Sequence, residues 1–157
     1  QTDSFTSHKL THKLMKTASL LSMLLIAGCI SQPASTPENP VNEEQTKQVL
    51  QHHWDTFQAN DLEGTMADYT EESTFITPDR TYRGLAEIRE NFVGAFAAFP
   101  KDSSTLKLNK TVVSQDVGYI IWEASAPKFN LTYGTDTFII KNGKIVRQTY
   151  AGVAAPK

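Results

Sequence analysis

Between Glu43 and Asn60 the apolar residues Val49, Leu50, Trp54 and Phe57 recur at intervals of three and four, so one face of the stretch is apolar and a first helix is predicted. Asn60-Asp61 breaks this pattern. Leu62, Met66 and Tyr69 then fall on one face of a short second helix, with Asp61 placed to cap it, and the two helices form a hairpin. Ser73 to Thr77 is rich in β-favouring residues and is stopped by Pro78-Asp79, after which Thr81-Tyr82-Arg83 is expected to pair back as a short strand. Gly84 opens a third helix. Its buried face is Leu85, Ile88, Phe92, Phe96 and Phe99, and Pro100 lies just past its end.

Beyond Pro100 the period changes from helical to two. Leu106-Lys107-Leu108 alternates, and Tyr119-Ile120-Ile121-Trp122 is a strand-like run. Phe129, Leu131, Tyr133, Thr135, Thr137 and Ile139 are expected to share one face of a long strand, and Lys141-Asn142-Gly143-Lys144 supplies a tight turn into a last strand from Ile145 to Val153. The order is helix, helix, strand pair, helix and a four-stranded antiparallel meander. That is an α+β plan with the helices on one face of the sheet.

Upstream, Lys9, Lys13 and Lys16 precede an apolar stretch from Ala18 to Ala27 that is too short to span a bilayer as a mature helix. Residues 1–28 read as a signal peptide, with 1–14 an over-extended start because Met15-Lys16 is the natural beginning of such a segment. Ile26-Ala27-Gly28-Cys29 resembles the lipobox of bacterial lipoproteins. That resemblance implies cleavage before Cys29, acyl chains on its thiol and a lipid bilayer as partner, several chains anchoring stably where one does not. Ile30 stands where an Asp would favour the inner membrane, so a source with two membranes would carry the protein on the outer one, facing the periplasm. Residues 29–42, with Pro33, Pro37 and Pro40, are a flexible spacer, which leaves 43–157 as the single folded domain.

Composition narrows the function classes. Beyond position 28 the chain holds 12 Lys or Arg against 16 Asp or Glu, with no basic run, which argues against a nucleic-acid partner. Cys29 is the only cysteine, so the exported domain has neither disulfide nor free thiol once lipidated. His8 and His12 would leave with the signal peptide, and the adjacent His52 and His53 diverge by about 100° on a helix, so no metal ligand set is expected. No phosphate-cradling glycine loop or nucleophile elbow occurs, and no cofactor is expected.

Phe57-Gln58-Ala59-Asn60-Asp61-Leu62-Glu63 at the helix hairpin, Met66-Ala67-Asp68-Tyr69 leading into Phe75, and Tyr82-Arg83-Gly84-Leu85-Ala86-Glu87-Ile88 opening the third helix carry a family likeness, as does the turn Asn142-Gly143-Lys144-Ile145. From about Glu43 to Val153 the chain resembles the superfamily of nuclear transport factor 2, ketosteroid isomerase and the SnoaL-like polyketide cyclases. The resemblance implies a cone-shaped, cystatin-like roll, in which three helices pack on a curved and mostly antiparallel sheet around an apolar pocket. The pocket serves unrelated tasks in different members, so fold does not fix function.

Carried over residue by residue, the isomerase's catalytic aspartate falls on Thr77, which cannot act as a general base near neutrality. Its oxyanion-stabilising tyrosine falls on His53, and its protonated aspartate on Tyr133 or a neighbour. His53, Trp54, Thr77 and Tyr133 are therefore the candidate ligand-binding residues, and His53 is the candidate acid or base. Three of these have a plainer reading: His53 as a solvated or satisfied helix-edge imidazole, Tyr133 as a rim residue, and Trp54, like Trp122, as core. Tyr69 and Tyr150 are expected to pack with wet hydroxyls, and Asp136 to be solvated on the strand face opposite Tyr133. Binding of a small apolar or aromatic molecule without catalysis ranks first, a SnoaL-like enzyme using His53 second, and a homodimer or protein-interaction module third.

Overall fold

The computed structural model describes residues 42–157. Cys29, the export segment and the spacer lie outside them. Helix α1, Glu43–Gln58, begins where the Asn42 side chain accepts the Gln45 amide at 3.2 Å, and it buries Val49, Leu50, His53, Trp54 and Phe57 along one face. Asn60 takes a positive φ of 52° to reverse the chain, and its side chain bonds the Phe99 carbonyl and the Lys101 amide. Helix α2, Leu62–Ala67, is capped by Asp61, whose carboxylate accepts the Gly64 amide at 2.9 Å. Asp61→Ala leaves that amide without its acceptor, and a loss of about 1 kcal/mol in a urea unfolding titration is expected.

Strands β1 (Thr74–Ile76) and β2 (Thr81–Arg83) form the short hairpin, and α3 (Gly84–Ala98) follows. The long strands are β3 (Thr105–Ser114), β4 (Val117–Ser125), β5 (Phe129–Lys141) and β6 (Lys144–Pro156), in one six-stranded sheet of order β2-β1-β6-β5-β4-β3. The meander is antiparallel, while β6 closes against β1 in parallel. The β5–β6 turn places Asn142 and Gly143 at φ of 52° and 72°, the left-handed pair that a two-residue hairpin with matching twist requires. Among the described residues no helix is long and apolar enough to cross a membrane.

Register shifts bend this sheet around α3. Asn109 is an extra residue in β3 against β4, and in β5 the step from Leu131 to Gly134 spans three residues where β4 advances only from Ala124 to Trp122. The β5 irregularity corrects the alternation expected from the sequence. Leu131 points inward, but after the bulge the buried positions are Gly134, Asp136, Phe138 and Ile140, not the odd-numbered set. Tyr133 is left 41% exposed.

The concave side holds the core. Ile88 is fully buried, and the Phe92 ring meets those of His53, Phe57, Tyr69, Phe75 and Phe96 at centroid distances from 5.6 to 6.2 Å. Phe99 and Trp54 flank Trp122 at 5.7 and 5.9 Å. Edge contacts of this kind add to what ring burial itself contributes.

Candidate active site in the cavity

Between α1, α3 and the curved sheet lies a cavity of about 470 Å³. Trp54, Phe57, Phe75, Phe92, Phe99, Ile120 and Phe138 give it an apolar wall, and His53, Asp136, Gln148 and Tyr150 bring polar groups to it. The turn from Thr77 to Asp79 adds a more exposed end. An apolar chamber with a few convergent polar groups is the usual form of a small-molecule site.

The polar groups form one chain. Asp136, 5% exposed, accepts the Trp122 indole N–H at 2.8 Å on Oδ2 and the Gln148 amide N–H at 2.9 Å on Oδ1. The Gln148 carbonyl oxygen accepts the Tyr69 hydroxyl, and the Tyr69 oxygen lies 3.4 Å from His53 Nε2. His53 Nδ1 faces Asp68 Oδ2 at 3.3 Å, and the other oxygen of Asp68 faces His52 Nδ1 at 2.8 Å. His52 is half exposed. A connected set of side chains therefore runs from Asp136 in the cavity wall to solvent on the outer side of α1.

Burial pushes the Asp136 carboxyl up to about 6, the bonds from Gln148 and Trp122 and the charge of His53 pulling the other way. The Tyr69 phenol is held well above its ordinary range by burial first and by the negative charges of Asp136 and Asp68 second. Tyr150 is pushed up to about 12, by burial and then by Asp136. Its hydroxyl is thus a neutral donor beside a carboxyl that changes charge close to neutrality.

Of the residues singled out from the sequence, His53, Trp54 and Thr77 meet at the cavity, and Tyr133 does not. The Tyr133 hydroxyl lies on the outer face, 3.4 Å from that of Tyr119. His53 is buried rather than at a solvated helix edge. The Thr77 hydroxyl donates to the Arg80 carbonyl and accepts the Arg80 amide, both at 3.1 Å, so the β1–β2 turn occupies it. Trp54 and Trp122 are core residues and cavity wall at once.

Two expectations are corrected: Asp136 is buried rather than solvated, and Tyr69 is 4% exposed rather than wet. Asp136, Gln148, Asp68 and Tyr69 are the functional candidates that sequence reasoning passed over. Signals for the first existed: an aspartate inside a long β run is unusual, and Gly134 two residues earlier marks a bulge. Among the described residues no group of three or more His, Cys, Asp or Glu could hold a metal ion.

A curved sheet wrapped on a helix over a cavity defines the class, a cone-shaped roll of the nuclear transport factor 2 type. The SnoaL-like domain family matches residues 50–148, and the chain belongs to that family. A candidate ketosteroid isomerase from Kribbella flavida is similar over 74% of this chain and 84% of its own, with 17% identity and a TM-score of 0.62. A protein of unknown function with the nuclear transport factor 2-like fold, from Mesorhizobium loti, is 21% identical over 71% of this chain and 93% of its own, with a TM-score of 0.61. A candidate polyketide cyclase from Sinorhizobium meliloti is 18% identical over 66% and 94%, with a TM-score of 0.58. At these identities the likeness is one of fold. No curated protein matches the chain.

Proposed function

We propose that the domain takes up a small, largely apolar or aromatic molecule with one polar end, and that Asp136, seconded by His53, exchanges a proton with that end. The observation that carries this reading is the Asp136 carboxyl, buried in the wall of an aromatic cavity and pushed up to about 6. A buried carboxyl costs stability that an apolar side chain in its place would not, and perturbed acids in clefts are concentrated at functional sites. With its change of charge near neutrality it serves as acid or base at working pH. The isomerase and cyclase descriptions of two fold neighbours fit proton chemistry on carbonyl compounds. Cys29, as the anchor proposed from the sequence, would hold this chemistry at a membrane surface.

The test is the thermal unfolding midpoint of the chain against steroids, aromatic acids, fatty acids and lactones, followed by a search for turnover of each hit. A specific ligand is expected to raise the midpoint by several degrees at saturation. Phe92→Trp, which fills the cavity, should abolish the shift. Hits without turnover would leave binding alone. Shifts that survive Phe92→Trp would place the ligand elsewhere and overturn the reading.

A further inference from the structure

The wall of the cavity carries an unbalanced charge. Among the described residues it has two carboxyl groups, Asp79 and Asp136, and no Lys or Arg. Arg80 stands next to Asp79, but its guanidinium lies over the Tyr82 ring at 4.7 Å and pairs with Glu87 and Glu90 at 3.9 and 3.5 Å. Any charge on His53 is balanced by Asp68, which faces Nδ1 at 3.3 Å. A ligand carboxylate entering this aromatic chamber would lose its water and meet like charge, with no cation to offset either. The cavity selects for an uncharged molecule.

An uncharged polar end that accepts, such as a carbonyl oxygen, needs a donor. The Trp122 N–H and the Gln148 amide are committed to Asp136, and the Thr77 hydroxyl to the Arg80 carbonyl. The Tyr150 hydroxyl has no hydrogen-bond partner among the described residues. Tyr150 is the direct cross-strand partner of Asp136 in the β5–β6 register, and both line the cavity, so the two side chains leave the sheet side by side. Tyr82 and Asn91 also reach the wall, from β2 and α3, but neither stands opposite the carboxyl. Two residues beyond Tyr150, Gly152 leaves space that the phenol uses. A Cβ there would run into the Tyr150 oxygen and stand 3.0 Å from its Cζ. Burial and the charge of Asp136 push the phenol up to about 12, so it keeps its hydrogen. A ligand oxygen that comes to the carboxyl meets a free donor beside it.

We propose that Tyr150 is the specificity-determining residue of the cavity, donating its hydroxyl hydrogen to the acceptor oxygen of an uncharged ketone, ester or lactone, and that carboxylates are excluded. Gly152 is a positioning residue, since it sets where that hydroxyl lies. The inference rests on the reading of this cavity as the working site and narrows its ligands to one chemical class.

The experiment follows the Trp122 indole N–H of the full 15N-labelled chain by NMR at pH 7.5, while three probes of similar shape are titrated in: methyl naphthoate, naphthoate and ethylnaphthalene. The ester is expected to bind at least about 10-fold more tightly than the acid, whose carboxylate finds no partner on the wall. Tyr150→Phe keeps the ring and removes one donor, so it should weaken the ester by about 3- to 10-fold and leave the hydrocarbon within about twofold of wild type. Gly152→Ala should show the same split, because it moves the hydroxyl without removing it. An acid that binds as well as its ester would overturn the proposal, as would a Tyr150→Phe protein that holds the ester unchanged or loses ester and hydrocarbon alike. If Gly152→Ala does not fold, Tyr150→Phe decides, since it deletes a single oxygen at the cavity surface. Binding of none of the three would overturn the cavity reading and this inference with it, whereas an acid bound tightly at the same indole leaves the cavity a binding site and removes the inference alone.

Discussion

Asp136→Asn is expected to raise the stability of the domain at pH 7.5 while removing any proton-transfer activity of the cavity. The carboxyl moves from an ordinary value of 3.8 in the unfolded chain to about 6 in the fold, with burial as the main cause. An acid whose folded value is raised holds more protons folded than unfolded between those limits, so stability from this group is fully present below pH 3.8 and is lost as pH rises through 6. A gap of about two units corresponds to roughly 3 kcal/mol above pH 7. Asparagine keeps the shape, accepts the Trp122 N–H and carries no charge. Urea unfolding should then show variant and wild type alike near pH 4 and separating to about 3 kcal/mol at pH 7.5, with a rise in midpoint of roughly 10 °C. Proton-transfer turnover should fall by about 100-fold or more. A variant less stable than wild type at pH 7.5 would mean that Trp122, Gln148 and His53 offset burial fully, and that the carboxylate is a structural ion.

The helix hairpin, the strand pair, the third helix and the β5–β6 turn were all legible in the sequence, because each is encoded within a few residues. Val49, Leu50, Trp54 and Phe57 name the buried face of α1 directly, and Asn142-Gly143 names its own turn. The interior of β5 was not legible. A period-two pattern holds only while the strand stays in register with its neighbours, and a single extra residue exchanges every inward position for an outward one. That exchange put Tyr133 outside and Asp136 inside. The parallel seam between β1 and β6 was likewise hidden, since it joins residues more than seventy positions apart, Phe75 with Gln148 among them. It is this seam that brings Gln148 beside Tyr69. His53 could be named as a candidate from the sequence, but its partner Asp68, fifteen residues along on the far side of the hairpin, could not.

Gly134→Ala is expected to destabilise the fold and to damage the site together, because the bulge and the carboxyl depend on the same small residue. A Cβ at Gly134 would stand 2.8 Å from Trp122 Cε2, 3.0 Å from its Nε1 and 2.8 Å from Leu131 Cδ2. The leucine tip can swing aside. The indole cannot do so freely, since it is packed among Trp54, Phe57, Phe99 and Tyr150, and its N–H is committed to Asp136 at 2.8 Å. Overpacking a close contact of this kind costs about 1 to 3 kcal/mol, and displacing the indole removes one of the two donors that stabilise the ionised carboxyl. The Asp136 value should therefore rise further in Gly134→Ala, and the loss of stability should be greater at pH 7.5 than at pH 4. A urea titration at both values checks this, with the carboxyl followed by 13C NMR. Equal losses at the two pH values, with an unmoved carboxyl, would mean that the strand accommodates the methyl group by shifting β5 and that the indole stays on Asp136.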